Sequence, residues 1–312
     1  VDTTTQLLVA QRSVRWGYFS IALCALLWAT VGIVMRLLYE MSDINPFSIG
    51  FFRLALAVPP LLIACWLSFG RDFLKIKGRD FLIMSLVGLM LALYQVCYAA
   101  SIERVGVTIA VLVTLCTAPI MIAVLSWLVL GERPSKALIV ALVGALAGTV
   151  LLIGFEPAES GSQSEMFWGV VLALGSALGY AVMTLCSRSL AGRYDPLHST
   201  TIGFSAGAVM LLPFALLNGF ITSYPVEGWM LLVYLGVVPS AMAYWLFFRA
   251  MHTTSATAAG IITLLEPLTS TLLAVWIFHE HLSETGIFGA ILLLGSLLLL
   301  FLAPSREELQ KQ

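Results

Sequence analysis

Residues 117–139 read TAPIMIAVLSWLVLGERPSKALI, and residues 265–287 read LEPLTSTLLAVWIFHEHLSETGI. At an offset of 148 positions, Ala110 falls on Ala258, Pro119 on Pro267, Leu125 on Leu273, Glu132 on Glu280, Ser135 on Ser283 and Ile139 on Ile287. A few identities between apolar segments arise by chance. A proline and a terminal glutamate aligned together at one ungapped offset do not arise so easily. Trp28-Ala29 and Tyr180-Ala181 correspond at a neighbouring offset of 152. The chain reads as two copies of one unit.

Working outward, the composition says where such a unit lives. Of 312 residues, 60% are hydrophobic and 11% charged, and the mean hydropathy is +0.99. A soluble domain carries about 25% charged residues, so a water-facing surface cannot be covered. Disorder, collagen and disulfide scaffolds are excluded on the same ground. A net charge of −1 gives no footprint for nucleic acid. The partner implied is the lipid bilayer.

A bilayer crossing takes about 20 apolar residues. Ten such stretches are read: 16–39, 46–69, 81–102, 105–130, 137–155, 167–190, 197–220, 229–250, 254–278 and 285–303. The expected fold class is therefore an all-α integral membrane protein, with ten transmembrane helices as two inverted five-helix repeats. The first repeat spans residues 16–155 and the second 167–303. Flanking them are an N-terminal segment 1–15, a linker 156–166 and a tail 304–312. Five crossings are an odd number, so the second copy enters the membrane upside down. Inverted repeats with proline-interrupted spans point to alternating-access transport.

Basic residues set the orientation. With both termini in the cytoplasm, thirteen Lys/Arg fall on that side: Arg12, Arg15, Arg71, Lys75, Lys77, Arg79, Arg133, Lys136, Arg188, Arg193, Arg249, Arg306 and Lys311. Only Arg104 falls outside. That bias predicts N- and C-termini inside. The outer loops hold acids instead: Glu40, Asp43, Glu156, Glu159, Glu165 and Glu227. The N-terminal apolar run exceeds the 7–15 residues of a signal-peptide core and reads as an uncleaved first span. The five cysteines all fall within spans and read as packing residues.

The run Leu264-Leu265-Glu266-Pro267-Leu268, then His279-Glu280-His281-Leu282-Ser283 with Gly289 and Gly295, resembles the end of an EamA-type repeat of the drug/metabolite transporter superfamily. Leu130-Gly131-Glu132-Arg133-Pro134-Ser135 is similar to the same motif closing the first copy, and Leu27-Trp28-Ala29 and Phe51-Phe52-Arg53 also fit. Two departures are Ala118 where the second copy has Glu266, and His279 in place of the glycine before Glu280. The resemblance implies a bacterial inner-membrane exporter of amino acids, with the aromatic amino-acid exporters as the nearest likeness. It implies a cavity lined by the first, third, fourth, sixth, eighth and ninth spans, no enzyme activity, no cofactor, and a monomer. A facilitative channel, or an efflux carrier of drugs or other metabolites on the same fold, stays open as the alternative.

Candidate substrate-binding residues follow from polarity in mid-span. Glu266 stands beside Pro267, and a carboxylate at that depth is a functional hypothesis by default. With Thr263 and Ser270 it forms one helix face. It could meet a substrate amine or a proton; a structural carboxylate bonded to a neighbouring span is the competing reading. Arg53 is the possible charge partner, able to bind a substrate carboxylate. Snorkelling toward the interface needs no pocket and is the simpler reading. Trp28, Tyr94, Gln95, Tyr98, Tyr180 and Tyr244 could stack on a substrate and hydrogen-bond it. Pro119 and Pro267 are candidate hinge or gating positions.

Other patterns carry less. Gly203-Phe204-Ser205-Ala206-Gly207 matches a hydrolase elbow, but sits inside a span. With Gly144/Gly148 and Gly175/Gly179 it reads as close helix packing. His279, Glu280 and His281 do not have zinc-site spacing. His198 reads as an interface residue.

Overall fold

The computed structural model describes residues 3–41, 45–70, 73, 75–154, 163–278 and 283–302; for 3–12, 40 and 278 only the backbone is described. Arg71, Asp43, Glu156, Glu159, Arg306 and Lys311 lie outside the described residues, as does the His279-Glu280-His281 trio.

No strand occurs among the described residues. The helices are α1 Thr3–Met41, α2 Pro46–Phe69, α3 Gly78–Leu125, α4 Lys136–Ile153, α5 Gln163–Leu190, α6 Pro196–Leu217, α7 Val226–Leu235, α8 Ala243–Ala250, α9 Ala256–Ile262, α10 Leu265–Phe278 and α11 Glu284–Leu302. A π-helical turn, Ser126–Leu130, continues α3, and a second, Gly236–Met242, joins α7 to α8. Among the described residues, nine helical stretches are long and apolar enough to cross a bilayer. In hydrocarbon only a structure that satisfies its own backbone is tolerated, which is why the chain is helical.

Local chemistry sets the helix starts. The Asn45 side chain accepts the Phe47 N–H and Pro46 fills the first helical position of α2. Asp195 and Pro196 do the same for α6. Ser135 caps α4 by accepting the Leu138 N–H, and Ser255 caps α9 by accepting that of Ala258. Each cap supplies an acceptor to a donor the helix leaves unpaired.

The boundaries depart from the sequence reading in three places. The first helix starts at Thr3 rather than Trp16. The expected break between residues 102 and 105 is not a loop: helix runs from Gly78 to Leu125, kinked at Gly106, whose φ of 76° and ψ of 168° lie outside helical space. Glycine has no Cβ to oppose that geometry. Glu103 and Arg104 suggested a loop, but both can stay helical at a membrane surface. The span expected at 254–278 divides into α9 and α10. Pro267 has no N–H to give the Thr263 carbonyl. That carbonyl instead accepts the Glu266 N–H at 2.9 Å, and Leu264 N–H turns back to Ile261 at 3.1 Å. Pro119, its repeat equivalent, sits inside α3 without a break.

Small residues let helices touch backbone to backbone. A Cβ on Gly88 of α3 would collide with the Gly203 carbonyl oxygen and stand 2.7 Å from the Gly207 nitrogen of α6. A Cβ on Gly148 of α4 would stand 2.7 Å from the Leu293 nitrogen and 2.8 Å from the Gly289 oxygen of α11. Gly179 of α5 meets the α3 backbone at Met90 and Tyr94. Ser205 donates to the Thr201 carbonyl of its own helix, so the elbow-like pattern is a packing seam. The surface is apolar: Leu67, Leu128, Leu217 and Phe288 are all exposed. Trp16, Trp66, Trp127, Trp168 and Trp276 are exposed too, as interface anchors would be. Trp229 is not one of them, because it packs against Phe52 at 5.1 Å.

Gly88→Ala and Gly148→Ala should each destabilise the protein by about 1–3 kcal/mol through overpacking. Gly295→Ala, whose Cβ would meet nothing within 4 Å, should leave stability unchanged. Thermal unfolding in detergent checks all three.

Candidate functional site

The interruption between α9 and α10 puts Glu266 in the first turn of α10, at a point where the helix has just restarted. Around it stand four tyrosines from three other helices. Tyr94 and Tyr98 of α3, Tyr180 of α5 and Tyr244 of α8 all lie within electrostatic range of its carboxylate. Tyr94 and Tyr98 are stacked, with centroids 6.1 Å apart and planes at 16°. Tyr94 also faces Tyr180 at 5.9 Å. The Gly179 contact explains this approach, because it brings the α5 backbone onto α3 at Tyr94.

Arg53 enters from α2, a helix expected only to support the cavity. Its charge acts on Glu266, Tyr94 and Tyr244. No nitrogen–oxygen contact within 4.0 Å joins Arg53 to Glu266. The Arg53 Nε is buried and has no hydrogen-bond partner among the described residues. A guanidinium that snorkels to water would not leave a buried donor of this kind. The Tyr180 hydroxyl is buried beside the Thr263 hydroxyl, which donates to the Gly260 carbonyl at 2.9 Å. Each buried unpaired polar group costs on the order of 1–3 kcal/mol. Such a donor within the field of a carboxylate makes a site suited to a ligand that carries its own charges.

The other candidates divide. Trp28 packs on Tyr244 at 4.9 Å and on Phe247 at 5.3 Å, and it is 6% exposed. Its indole N–H donates to the Pro239 carbonyl at 2.9 Å. Trp28 therefore offers ring surface and no free donor. The acceptor arises because the π-helical turn around Pro239 leaves carbonyls outside the usual ladder. Gln95 presents its Oε1 to α2 at Gly50. Pro119 packs against Gly260 of α9, where α3 crosses α9. Sequence reasoning missed the role of Pro239, although a proline inside the eighth span was visible. It also missed Phe204 and Phe247, fully buried rings beside Tyr244 and Tyr180, which resembled ordinary core.

His198 is buried against Phe69 at 4.5 Å and Phe73 at 5.6 Å, remote in sequence from this cluster. Among the described residues no group of three His, Cys, Asp or Glu could hold a metal. The cysteines are free thiols. Cys24 donates to the Ala243 carbonyl and Cys65 pairs with the Thr201 hydroxyl, as packing residues do.

A model of the EamA-like transporter family matches the chain twice, at residues 15–154 and 167–302. "Uncharacterized transporter YwfM" of Bacillus subtilis is 29% identical, over 92% of this chain and 94% of its own. "Uncharacterized inner membrane transporter YicL" of Salmonella typhimurium is 26% identical, over 95% and 98%. A transporter of Archaeoglobus fulgidus is 28% identical, over 92% and 97%. A protein crystal structure superposes with a TM-score of 0.77 at 22% identity, covering 91% of this chain and 95% of its own, and shares the fold.

Trp28→Phe should keep the ring packing and strand the Pro239 carbonyl, lowering stability by about 1–3 kcal/mol. Thermal unfolding measures the loss. Unchanged stability with weakened ligand binding would instead place the indole N–H on a ligand.

Proposed function

Because the chain belongs to the EamA-like transporter family and is a multi-pass membrane protein, we propose that it exports amino acids, aromatic ones among them, and related small metabolites by alternating access. The observation that carries this is the separated pair Arg53 and Glu266 with tyrosine rings around it. An α-amino acid is a zwitterion. Its carboxylate matches the unpaired Arg53 Nε, and its ammonium matches Glu266. Pairing each buried charge with a ligand charge removes a cost that either protein group bears alone. The stacked Tyr94 and Tyr98 and the Trp28 face would receive a flat side chain.

The architecture proposed is ten crossings in two inverted halves. Residues 78–130 form a 53-residue stretch, about 80 Å long at 1.5 Å per residue. The hydrocarbon core is only about 30 Å thick. The kink at Gly106 is the natural division into two crossings. Ten crossings place both termini on one side, and the Lys/Arg bias assigns that side to the cytoplasm of a bacterial inner membrane. The protein is taken to act as a monomer. Glu266 is also the candidate proton carrier, should export be proton-coupled rather than driven by the substrate gradient alone.

Proteoliposome uptake of labelled phenylalanine, competed by phenylalanine, phenethylamine and phenylpropionate, tests the site. Only the zwitterion should compete well. Arg53→Gln should weaken the amino acid about tenfold or more and erase its advantage over the amine. Glu266→Gln should erase its advantage over the acid. Amine and acid competing as well as the amino acid, or both variants behaving as wild type, would overturn the reading. With Glu266→Gln, uptake that no longer responds to a pH gradient would identify it as the coupling site.

A further inference from the structure

Glu132 is the hub of a network that ties the two copies together at one face of the membrane. The π-helical turn Ser126–Leu130 ends at Gly131, whose φ of 69° is left-handed. That turn folds Glu132 back over the end of α3, where its N–H donates to the Ser126 carbonyl at 3.2 Å. One carboxylate oxygen accepts the Ser126 hydroxyl at 2.7 Å and the backbone N–H of Ala256 at 3.1 Å. The other accepts Arg188 Nε at 2.8 Å. Arg188 in turn donates to the Met251 carbonyl at 2.6 Å. Ser126 and Glu132 belong to the first copy; Arg188, Met251 and Ala256 belong to the second.

Four chain segments thus converge on one ion pair: the end of α3, the end of α5, the end of α8 and the start of α9. These come from the elements that carry Tyr94, Tyr180 and Tyr244, and from the one that leads into Glu266. The pair lies beyond the crossing of Pro119 and Gly260, by about 10 Å along α3 at 1.5 Å per residue. It is largely screened from solvent, with side-chain exposures of 29% for Arg188 and 19% for Glu132.

A second pair at the same face behaves differently. Arg193 meets Asp80 at 2.9 Å, and Tyr194 donates to Asp80 at 3.0 Å. These residues join the start of α3 to the loop between α5 and α6. There α3 and α6 are in backbone contact through Gly88, Gly203 and Gly207. The four segments at Glu132 also share a small apolar cluster of Ile122, Ala181, Leu185 and Ala256, and Gly260 of α9 meets Pro119 of α3. At the level of Glu132 itself the contacts that join the two copies are polar, and polar contacts are exchangeable for water when a pathway opens.

We infer that the Glu132–Arg188 pair, with the Ala256 N–H and the Met251 carbonyl, is a latch that closes the substrate pathway at the face carrying Arg133, Lys136 and Arg249. Loading from that face requires the latch to break. The inference rests on the alternating-access reading but not on the substrate class.

The test is face-specific accessibility, which needs no substrate. The full chain, with Cys24, Cys65, Cys97, Cys116 and Cys186 replaced by serine, carries one reporter, Thr263→Cys, beside Tyr180. A membrane-impermeant maleimide is applied to either face of oriented vesicles. With the latch intact, labelling from the basic face is slow. Glu132→Gln and Arg188→Gln should each raise that rate about tenfold and lower the rate from the opposite face. Ala256→Pro is a third variant: proline suits the first helical position, though Ala256 is fully buried, so its folding is checked first. Ser255 already has the φ of −67° and ψ of 150° that a following proline requires. It deletes only the N–H given to Glu132, and it should raise the same rate. Unchanged face-specific rates in the folded variants would overturn the latch and leave Glu132 as a structural brace. Equal labelling of wild type from both faces would instead count against alternating access.

Discussion

Arg53 holds a buried guanidinium donor without a partner, within the field of Glu266 yet not in contact with it. In hydrocarbon that arrangement is costly, and the helices around it exist to keep it in place. Charges that could collapse onto one another would bind nothing. Here α2 and α10 carry them separately, and the tyrosines within range of both supply no counter-charge. The orphaned donor is the reason these residues are proposed as a binding site rather than a structural ion pair.

The proposed alternating access makes two opposed demands of the scaffold. It must be rigid enough to keep the charges apart and loose enough to expose them first to one side and then to the other. Rigidity comes from glycine seams, where α3 meets α6 and α4 meets α11 through backbone contact. Looseness comes from places where the helix ladder is interrupted: Gly106, the turn around Pro239, and the break before Pro267. Pro239 shows how an interruption can be used, since its exposed carbonyl takes the Trp28 indole N–H. The repeat equivalents Pro119 and Pro267 do not behave alike, one lying within a helix and the other restarting one. The two copies share a template without sharing a conformation.

Much of this was legible in the residues. Length and apolarity located the helices, and the 148-residue offset revealed the duplication, because helix ends and prolines keep their spacing when a unit is copied. Glu266 was legible as an intramembrane charge, and Tyr94, Tyr98, Tyr180 and Tyr244 as its companions. Three things were not. Arg53 read more simply as a snorkelling side chain, since one-dimensional position does not say which way α2 faces. Trp28 read as a donor to substrate, since nothing in its own helix announces a carbonyl 211 residues away. Glu132 read as a marker of the repeat, because a long-range bond to Arg188 leaves no local pattern. In each case the missing information was how helices distant in sequence are placed against one another.

Counterflow tests alternating access to one charged site most directly. Proteoliposomes preloaded with unlabelled phenylalanine are given a trace of the labelled amino acid outside, at one pH on both sides. A carrier that presents one charged site alternately to each face should accumulate label transiently above equilibrium, with a saturable dependence on concentration. Label that equilibrates monotonically and without saturation, or preloading that has no effect for any amino acid tried, would contradict the account.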